Sequence, residues 1–175
     1  MVKKKSIFSI LCAIAIALVC WSFTVMAGFG SLIWIAFSTY CVLSCMQGSF
    51  PKIHFYLIAL ALGWVWAYSY LYVMQWMMGS LDMPYSLAMF VDVLIVTFII
   101  IMVHMLPLAK TPLNIAMMPL CYTPVMAMFG TMGQNLSLVA IIIAEVVGIV
   151  VACLSPIFFK ISFRPGMEER VEVES

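Results

Sequence analysis

The chain has 175 residues, of which 66% are hydrophobic and only 9% are charged, and its mean hydropathy is +1.20. A soluble domain carries roughly 25% charged residues to keep its surface hydrated, so this composition excludes a soluble fold and indicates a chain solvated by lipid. The net charge of +1 says nothing about nucleic acid, but the sequence has no basic patch apart from the terminal lysines, and we predict no nucleic-acid partner.

Six apolar runs predict an all-α, polytopic membrane protein with six transmembrane helices. The predicted spans are 7–26, 31–47, 53–78, 85–106, 113–132 and 136–159. Glycine, proline or charged residues mark the turns between them. We therefore predict one transmembrane domain over residues 1–161 and a short cytoplasmic tail over residues 162–175.

The basic residues predict the orientation of these spans. If the N-terminus is cytoplasmic, all eight lysines and arginines fall on the cytoplasmic side, as the positive-inside rule requires. They are Lys3, Lys4, Lys5, Lys52, Lys110, Lys160, Arg164 and Arg170. The opposite loops contain no Lys or Arg, which predicts that both termini are cytoplasmic.

The first span allows a second interpretation. Three lysines, an apolar stretch and Val25-Met26-Ala27 also match the pattern of a cleaved signal peptide. Cleavage would leave five spans and would preserve the charge distribution. An internal repeat favours retention of the first span, because it groups the spans in threes.

The second half of the chain resembles the first after a shift of 85 residues. Residues 34–67 align with residues 119–152 without a gap. The identical pairs are Gly48/Gly133, Ile58/Ile143, Ala59/Ala144, Gly63/Gly148, Val65/Val150 and Ala67/Ala152. Each half, about 7–78 and 85–159, holds three spans, so we predict a 3+3 inverted repeat. Such repeats are typical of transporters, with the solute site near the midplane between the copies.

Three short motifs resemble a known family. They are Trp34-Ile35-Ala36-Phe37, Cys45-Met46-Gln47-Gly48 and Gly63-Trp64-Val65-Trp66-Ala67. They are similar to segments of the YcdZ-like small bacterial inner-membrane proteins, as are Pro119, Phe129 and Gly133-Gln134, although this last turn is spaced differently. The resemblance implies a bacterial inner-membrane location. It leaves the function open, because the family has no assigned activity.

Two carboxyl groups lie within the predicted spans. Glu145 is on the order of 15 Å deep in the sixth span, and Asp92 is on the order of 12 Å deep in the fourth, both measured from the outer side. Because ionisable groups in a bilayer are costly, each is a functional candidate. We expect both to face one interior site that binds a cation or shares a proton. The alternative is that each is hydrogen-bonded for packing.

The histidine of the fourth span is expected to lie apart from this site. His104 follows Asp92 by twelve residues and is therefore about 120° away around a helix. We predict that the two do not form one stripe and that His104 reaches the membrane interface. A proton relay along this helix is accordingly not expected.

The fifth span is the most irregular, because its two prolines each remove an amide donor. Broken helices of this kind build solute sites in transporters; an ordinary proline kink is the alternative. Besides the two carboxyls, the predicted pathway residues are Pro119, Tyr122, Thr123 and Pro124, with Ser38, Thr39, Tyr40 and Gln47 on the second span.

The sequence contains no P-loop, dinucleotide fingerprint, Gly-x-Ser-x-Gly motif or metal-binding histidine pair, and its six cysteines fit neither a zinc site nor a disulfide framework. We therefore predict no enzyme, no catalytic residue, no cofactor and no metal site. The predicted function is a small-solute or ion channel or transporter, with the pathway between two three-helix repeats and with homo-oligomerisation. The alternative is a non-transporting scaffold or accessory subunit of a larger membrane complex.

Overall fold

The structure is a computed structural model that describes residues 2–25, 32–132, 134 and 136–162, with the backbone alone for residues 2–6 and 24. Every regular element in this part of the chain is helical, which confirms the all-α class. The helices are α1 (Val2–Val25), α2 (Ile33–Cys45), α3 (Ile53–Ser80), α4 (Tyr85–Met105), α5 (Met118–Cys121), α6 (Thr123–Gly130) and α7 (Leu138–Ser162), with a 3-10 turn at Phe50–Lys52. The predicted tail beyond Ser162, most of the cleavage motif and the glycines of the first and last turns lie outside the described residues.

Three of the described helical segments are long and apolar enough to cross a membrane: Phe50–Ser80, Tyr85–Met105 and Leu138–Ser162. The chain is thus compatible with a membrane protein. Two further apolar helices, Ile7–Phe23 and Ile33–Cys45, are shorter. Thirteen residues rise only about 20 Å, against a hydrocarbon core of about 30 Å. The count of six spans therefore stays a prediction.

The fifth predicted span begins later than expected. Residues 106–117 form turns and bends, and helix begins only at Met118. Two side chains explain the delay: the Thr111 hydroxyl accepts the Leu113 amide at 3.2 Å, and Asn114 Oδ1 accepts the Ala116 amide at 3.0 Å. Such local hydrogen bonds favour turns over helix. The predicted helix over 113–132 is wrong at its start. Tyr122 separates α5 from α6, but its amide donates to the Met118 carbonyl and its carbonyl accepts the Met126 amide, as in a continuous helix.

The chain divides into two compact units that cut across the sequence halves. The first unit contains α1, α2, the 3-10 turn and α7. The second contains α4, α5, α6 and all of α3 after Ile53. In the first unit, the longest helix, α7, comes from the second half of the sequence, and the short helix α2 comes from the first half. In the second unit, the longest helix, α3, comes from the first half, and the short helices α5 and α6 come from the second half.

In the first unit, α1 runs antiparallel to α7 and α2 runs parallel to it. Phe8 near the start of α1 packs edge-to-face on Phe159 near the end of α7, with ring centroids 6.0 Å apart. At the other end, Val19 and Ile33 line a small space beside Gly148. These contacts set the directions of the three helices.

The second unit has the same pattern of directions. The Tyr70 hydroxyl of α3 meets Thr97 of α4, and Met77 of α3 clusters with Ala88 of α4, so these helices are antiparallel. Helix α6 is parallel to α3, because the Tyr70 ring packs edge-to-face on Phe129 at 5.9 Å.

The helix bounds of the two units follow the 85-residue shift. Shifted by 85, α2 covers residues 118–130, which are the combined bounds of α5 and α6, and the start of α3 falls on the start of α7. Buried small residues follow the same shift at four-residue spacing: Ala59, Gly63 and Ala67 in α3, and Ala144, Gly148 and Ala152 in α7. Small residues at this spacing allow a neighbouring helix backbone to approach closely.

Candidate functional site

In the second unit, Gly63 is the point of closest approach between α3 and the broken helix. A Cβ atom there would overlap the carbonyl oxygen of Cys121 and lie 2.8 Å from the Pro124 ring. The absence of a side chain therefore lets α3 contact the backbone at the α5–α6 junction, and it positions Tyr122 within the unit.

The first unit has the corresponding contact at Gly148. A Cβ atom there would overlap the carbonyl oxygen of Ala36 and lie 2.9 Å from Thr39 Cβ. Ala36 and Thr39 precede by 85 residues the two residues that face the glycine of the second unit. The same helix–helix contact thus positions the polar groups of both units.

Asp92 is a fully buried charged residue of the second unit. Its side chain is 0% exposed, and neither carboxyl oxygen has a hydrogen-bond partner within the described part of the chain. A buried carboxyl group without partners is costly, because it has lost the water that solvated it. Its retention in an apolar helix marks it as a functional candidate.

A hydroxyl cluster lies in the same unit as Asp92, about one and a half helical turns away along α4. Tyr70 and Thr97 share a hydrogen bond of 2.6 Å between their oxygens, and the Tyr122 hydroxyl lies 3.5 Å from that of Tyr70. Asp92 is within electrostatic range of the Tyr70 hydroxyl, and Thr97 is only about 7.5 Å further along α4. The second unit therefore combines a buried carboxyl with three hydroxyl groups.

The other predicted residues of the broken helix are satisfied locally or face outward. The Thr123 hydroxyl donates to the Leu120 carbonyl at 2.9 Å. Pro124 is buried against α3, whereas Pro119 is exposed. Of this set, Tyr122 alone has its polar atom in the hydroxyl cluster described above.

His104 is fully buried among the described residues, and its place at the membrane interface stays a prediction. Its Nδ1 donates to the Leu113 carbonyl, and its Nε2 has no partner among the described residues. The buried residues of α4 recur at every fourth position: Ala88, Asp92, Val96, Ile100 and His104. A row at four-residue spacing winds around the helix by about 40° per step and forms one ridge. The 120° separation therefore does not remove His104 from the buried row that contains Asp92.

In the first unit, Glu145 and Thr39 are both 0% exposed. Glu145 lies one turn before Gly148 on the buried face of α7, and Thr39 is in contact at that glycine from α2. The Thr39 hydroxyl is buried without a hydrogen-bond partner in the described ranges. These two predicted residues thus lie in neighbouring buried positions of one unit.

The remaining predicted residues of α2 differ in their surroundings. The Ser38 hydroxyl donates to the Ile35 carbonyl at 2.9 Å, so its own helix satisfies it. The Tyr40 ring is partly buried and packs on Phe37 at 6.0 Å. Gln47 is exposed, has a left-handed φ of 55°, and lines a cavity of about 420 Å³ at the end of α2.

The structure thus groups Asp92 with Tyr122 in the second unit, and Glu145 with Thr39 in the first. The expectation that the two carboxyls share one site stays a prediction. The sequence reasoning did not select Tyr70 or Thr97. A usable signal existed for Tyr70, because it continues the buried row of small residues along α3.

No group of three or more potential metal ligands occurs among the described residues. No family model matches the chain, and no curated protein or solved structure shows a significant match to it. The likeness to the YcdZ-like family therefore rests on its short motifs alone.

Proposed function

We propose that this chain is a membrane channel or transporter for a cation or small polar solute, and that Asp92 is part of its pathway. The observation that carries the proposal is the burial of Asp92 within an apolar helix, with no hydrogen-bond partner for either oxygen in the described chain. An acidic group in this setting is a ready ligand for a cation or a hydrogen-bond donor.

Three further features support the same proposal. The hydroxyls of Tyr70, Thr97 and Tyr122 supply neutral polar groups in the same unit as Asp92. Pro124, two residues after Tyr122, removes one backbone donor from this helix, and irregular helices are typical of the solute sites of transporters. Glu145 is a second buried carboxyl, held in the first unit.

The proposal includes six spans, a 3+3 inverted repeat and cytoplasmic termini. The shared helix bounds and the paired glycine contacts support the repeat. It also includes a bacterial inner-membrane location and membership of the YcdZ-like family. Two motif glycines have structural reasons in support: Gly63 admits the Cys121 backbone, and a Cβ at Gly48 would lie 2.6 Å from Leu43 Cγ.

Flux into liposomes tests this function. The purified chain is reconstituted, and the uptake of Rb⁺, protons and neutral polar solutes such as urea and glycerol is compared with that of Asp92→Asn, which keeps the shape and removes the charge. We expect Asp92→Asn to lower flux roughly tenfold or more, as for the loss of one hydrogen bond to a charged group. Asp82→Asn is the matched control, because Asp82 is exposed in the α3–α4 turn.

Two outcomes would contradict the proposal: the absence of flux for every probe, or equal flux in the wild type and Asp92→Asn. The alternative, a scaffold or accessory subunit, predicts no flux. It predicts instead stable co-purification with one larger membrane protein, and loss of that protein when this chain is deleted.

A further inference from the structure

The first unit contains a cavity of about 420 Å³ between the ends of α2 and α7 and the start of α1. Its polar lining comes from Ser44, Gln47, Ser155 and Lys160. The edge-to-face ring pair of α1 and α7 forms part of its apolar wall. Its volume falls in the range of roughly 300–1,000 Å³ that is usual for ligand sites.

The second unit shows why this cavity exists. The residues 85 positions from Ser44 and Ser155 are Phe129 and Tyr70. Those two aromatic rings pack edge-to-face at 5.9 Å. The first unit thus has two small hydroxyl side chains where the second unit has two rings. The difference in side-chain volume leaves the space.

The charge of the lining is one-sided. Lys160 contributes a cation, and no carboxyl group belongs to the lining residues that the structure describes. The half-buried Ser155 adds a hydroxyl from α7. Gln47 adds an amide from a backbone position with left-handed φ. A cation, a hydroxyl and an amide together suit an anion with several acceptor oxygens.

The apolar wall and the membrane setting narrow this anion to an amphiphile. Basic cavities between helices at the membrane surface accept anionic lipid headgroups. The cavity lies near the end of the apolar helix α7. A headgroup can therefore enter it while the acyl chains remain along the helix surface.

We infer that this cavity binds the phosphate group of an anionic phospholipid, with Lys160 and Ser155 as its ligands. The inference does not depend on transport, because it uses only the lining of the first unit. The source of the phosphate is either a lipid headgroup or a phosphate in solution, and both would make the same contacts.

Lipid retention by the full-length chain in detergent tests this site. Dioleoylphosphatidylglycerol is added, excess lipid is removed by gel filtration, and mass spectrometry of the intact complex counts the lipid retained. Dioleoylglycerol, which lacks the phosphate, is the control ligand. We expect the wild type to retain the phospholipid and not the diglyceride. Excess inorganic phosphate should leave the phospholipid bound, because the apolar wall also contacts the lipid; displacement would assign the site to phosphate in solution and overturn the assignment to a lipid.

The residues that align after the 85-residue shift suggest which substitutions to test. Lys160→Gln introduces the residue found 85 positions earlier, Gln75. It should lower retention roughly tenfold, the effect of losing one hydrogen bond to a charged group. Ser44→Phe with Ser155→Tyr fills the cavity with the aromatic pair of the second unit and should abolish retention. Lys110→Gln removes an equal charge from an exposed position outside the cavity and should leave retention unchanged.

Equal retention by the wild type, Lys160→Gln and the filled variant would overturn the inference. Equal retention of the diglyceride would also overturn it, because the phosphate would then contribute nothing. If the double variant fails to fold, Lys160→Gln alone decides the outcome, since Lys160 is exposed and its packing contribution is small.

Discussion

In the unit of α1, α2 and α7, Glu145 lies one turn before the glycine that contacts the short helix; in the unit of α3 to α6, the corresponding residue is Leu60. Both side chains are buried. Asp92 of the second unit corresponds in the same way to Ile7 of the first, which is 38% exposed. The two units therefore share helix bounds and glycine contacts but bury their acids at different positions. Small residues allow the helix contacts that both units share, whereas the positions of the buried acidic side chains differ between the units.

The largest expected effect comes from the glycine contacts that the units share. Gly63→Val and Gly148→Val each place a side chain against a carbonyl oxygen of the neighbouring helix. Overpacking of this kind costs roughly 3 kcal/mol when backbone must move. We expect both variants to lower the free energy of unfolding in detergent by similar amounts.

Gly79→Val is the matched control, because a Cβ at Gly79 meets nothing within 4 Å. An exposed position of this kind should change stability by about 0.5 kcal/mol or less. A large loss at one glycine and none at the other would break the equivalence of the two units.

A second prediction concerns the acid that distinguishes the first unit. Glu145→Leu introduces the residue found at the corresponding position of the second unit. Glu145 takes part in a polar or electrostatic interaction, and removing one partner of a buried interaction costs roughly 1–3 kcal/mol. We expect a loss in unfolding free energy of about 2 kcal/mol, on the same scale, together with loss of flux.

Thermal unfolding and liposome flux, measured on the same Glu145→Leu preparation, check both parts. Glu145→Gln serves as the control that keeps the side-chain shape. Normal flux in Glu145→Leu would show that Glu145 does not serve the pathway, and unchanged stability would show that its interaction does not hold the first unit together.

The smallest expected effect concerns the hydroxyl cluster of the second unit. Tyr70→Phe removes the hydrogen bond to Thr97 and keeps the ring contact with Phe129. The loss of one such bond costs about 1 kcal/mol. Tyr68→Phe is the control, because the Tyr68 ring is 49% exposed. Equal unfolding free energies for the two variants would show that the cluster contributes nothing to stability, and only flux would then report on it.

The apolar runs and the 85-residue shift predicted the all-helical class and the starts of α3 and α7 closely, because hydropathy and small residues are local features of the sequence. The late start of the fifth helix was missed, since it depends on hydrogen bonds from Thr111 and Asn114 to nearby amides. Hydropathy does not register such bonds.

The burial of His104 was missed for a different reason. A helical wheel projects the residues along one axis, and it treats a face as a straight stripe. The buried row of α4 instead recurs at every fourth residue and therefore winds around the helix. The hydroxyl pair of Tyr70 and Thr97 was also out of reach, since residues 27 positions apart meet only through the antiparallel packing of α3 and α4.

The exchange of long helices between the sequence halves has a consequence for how the protein is made. During synthesis, Gly63 precedes its contact at Cys121 by about 60 residues, a delay of several seconds at roughly 5–20 residues per second. The Ala36 backbone is synthesised about 110 residues before Gly148, which corresponds to a longer delay, on the order of ten seconds. In each contact, the surface that is made first therefore stays without its partner until the later segment has been synthesised. A chain truncated after α3 would lack Cys121 and Gly148, so neither glycine contact could form.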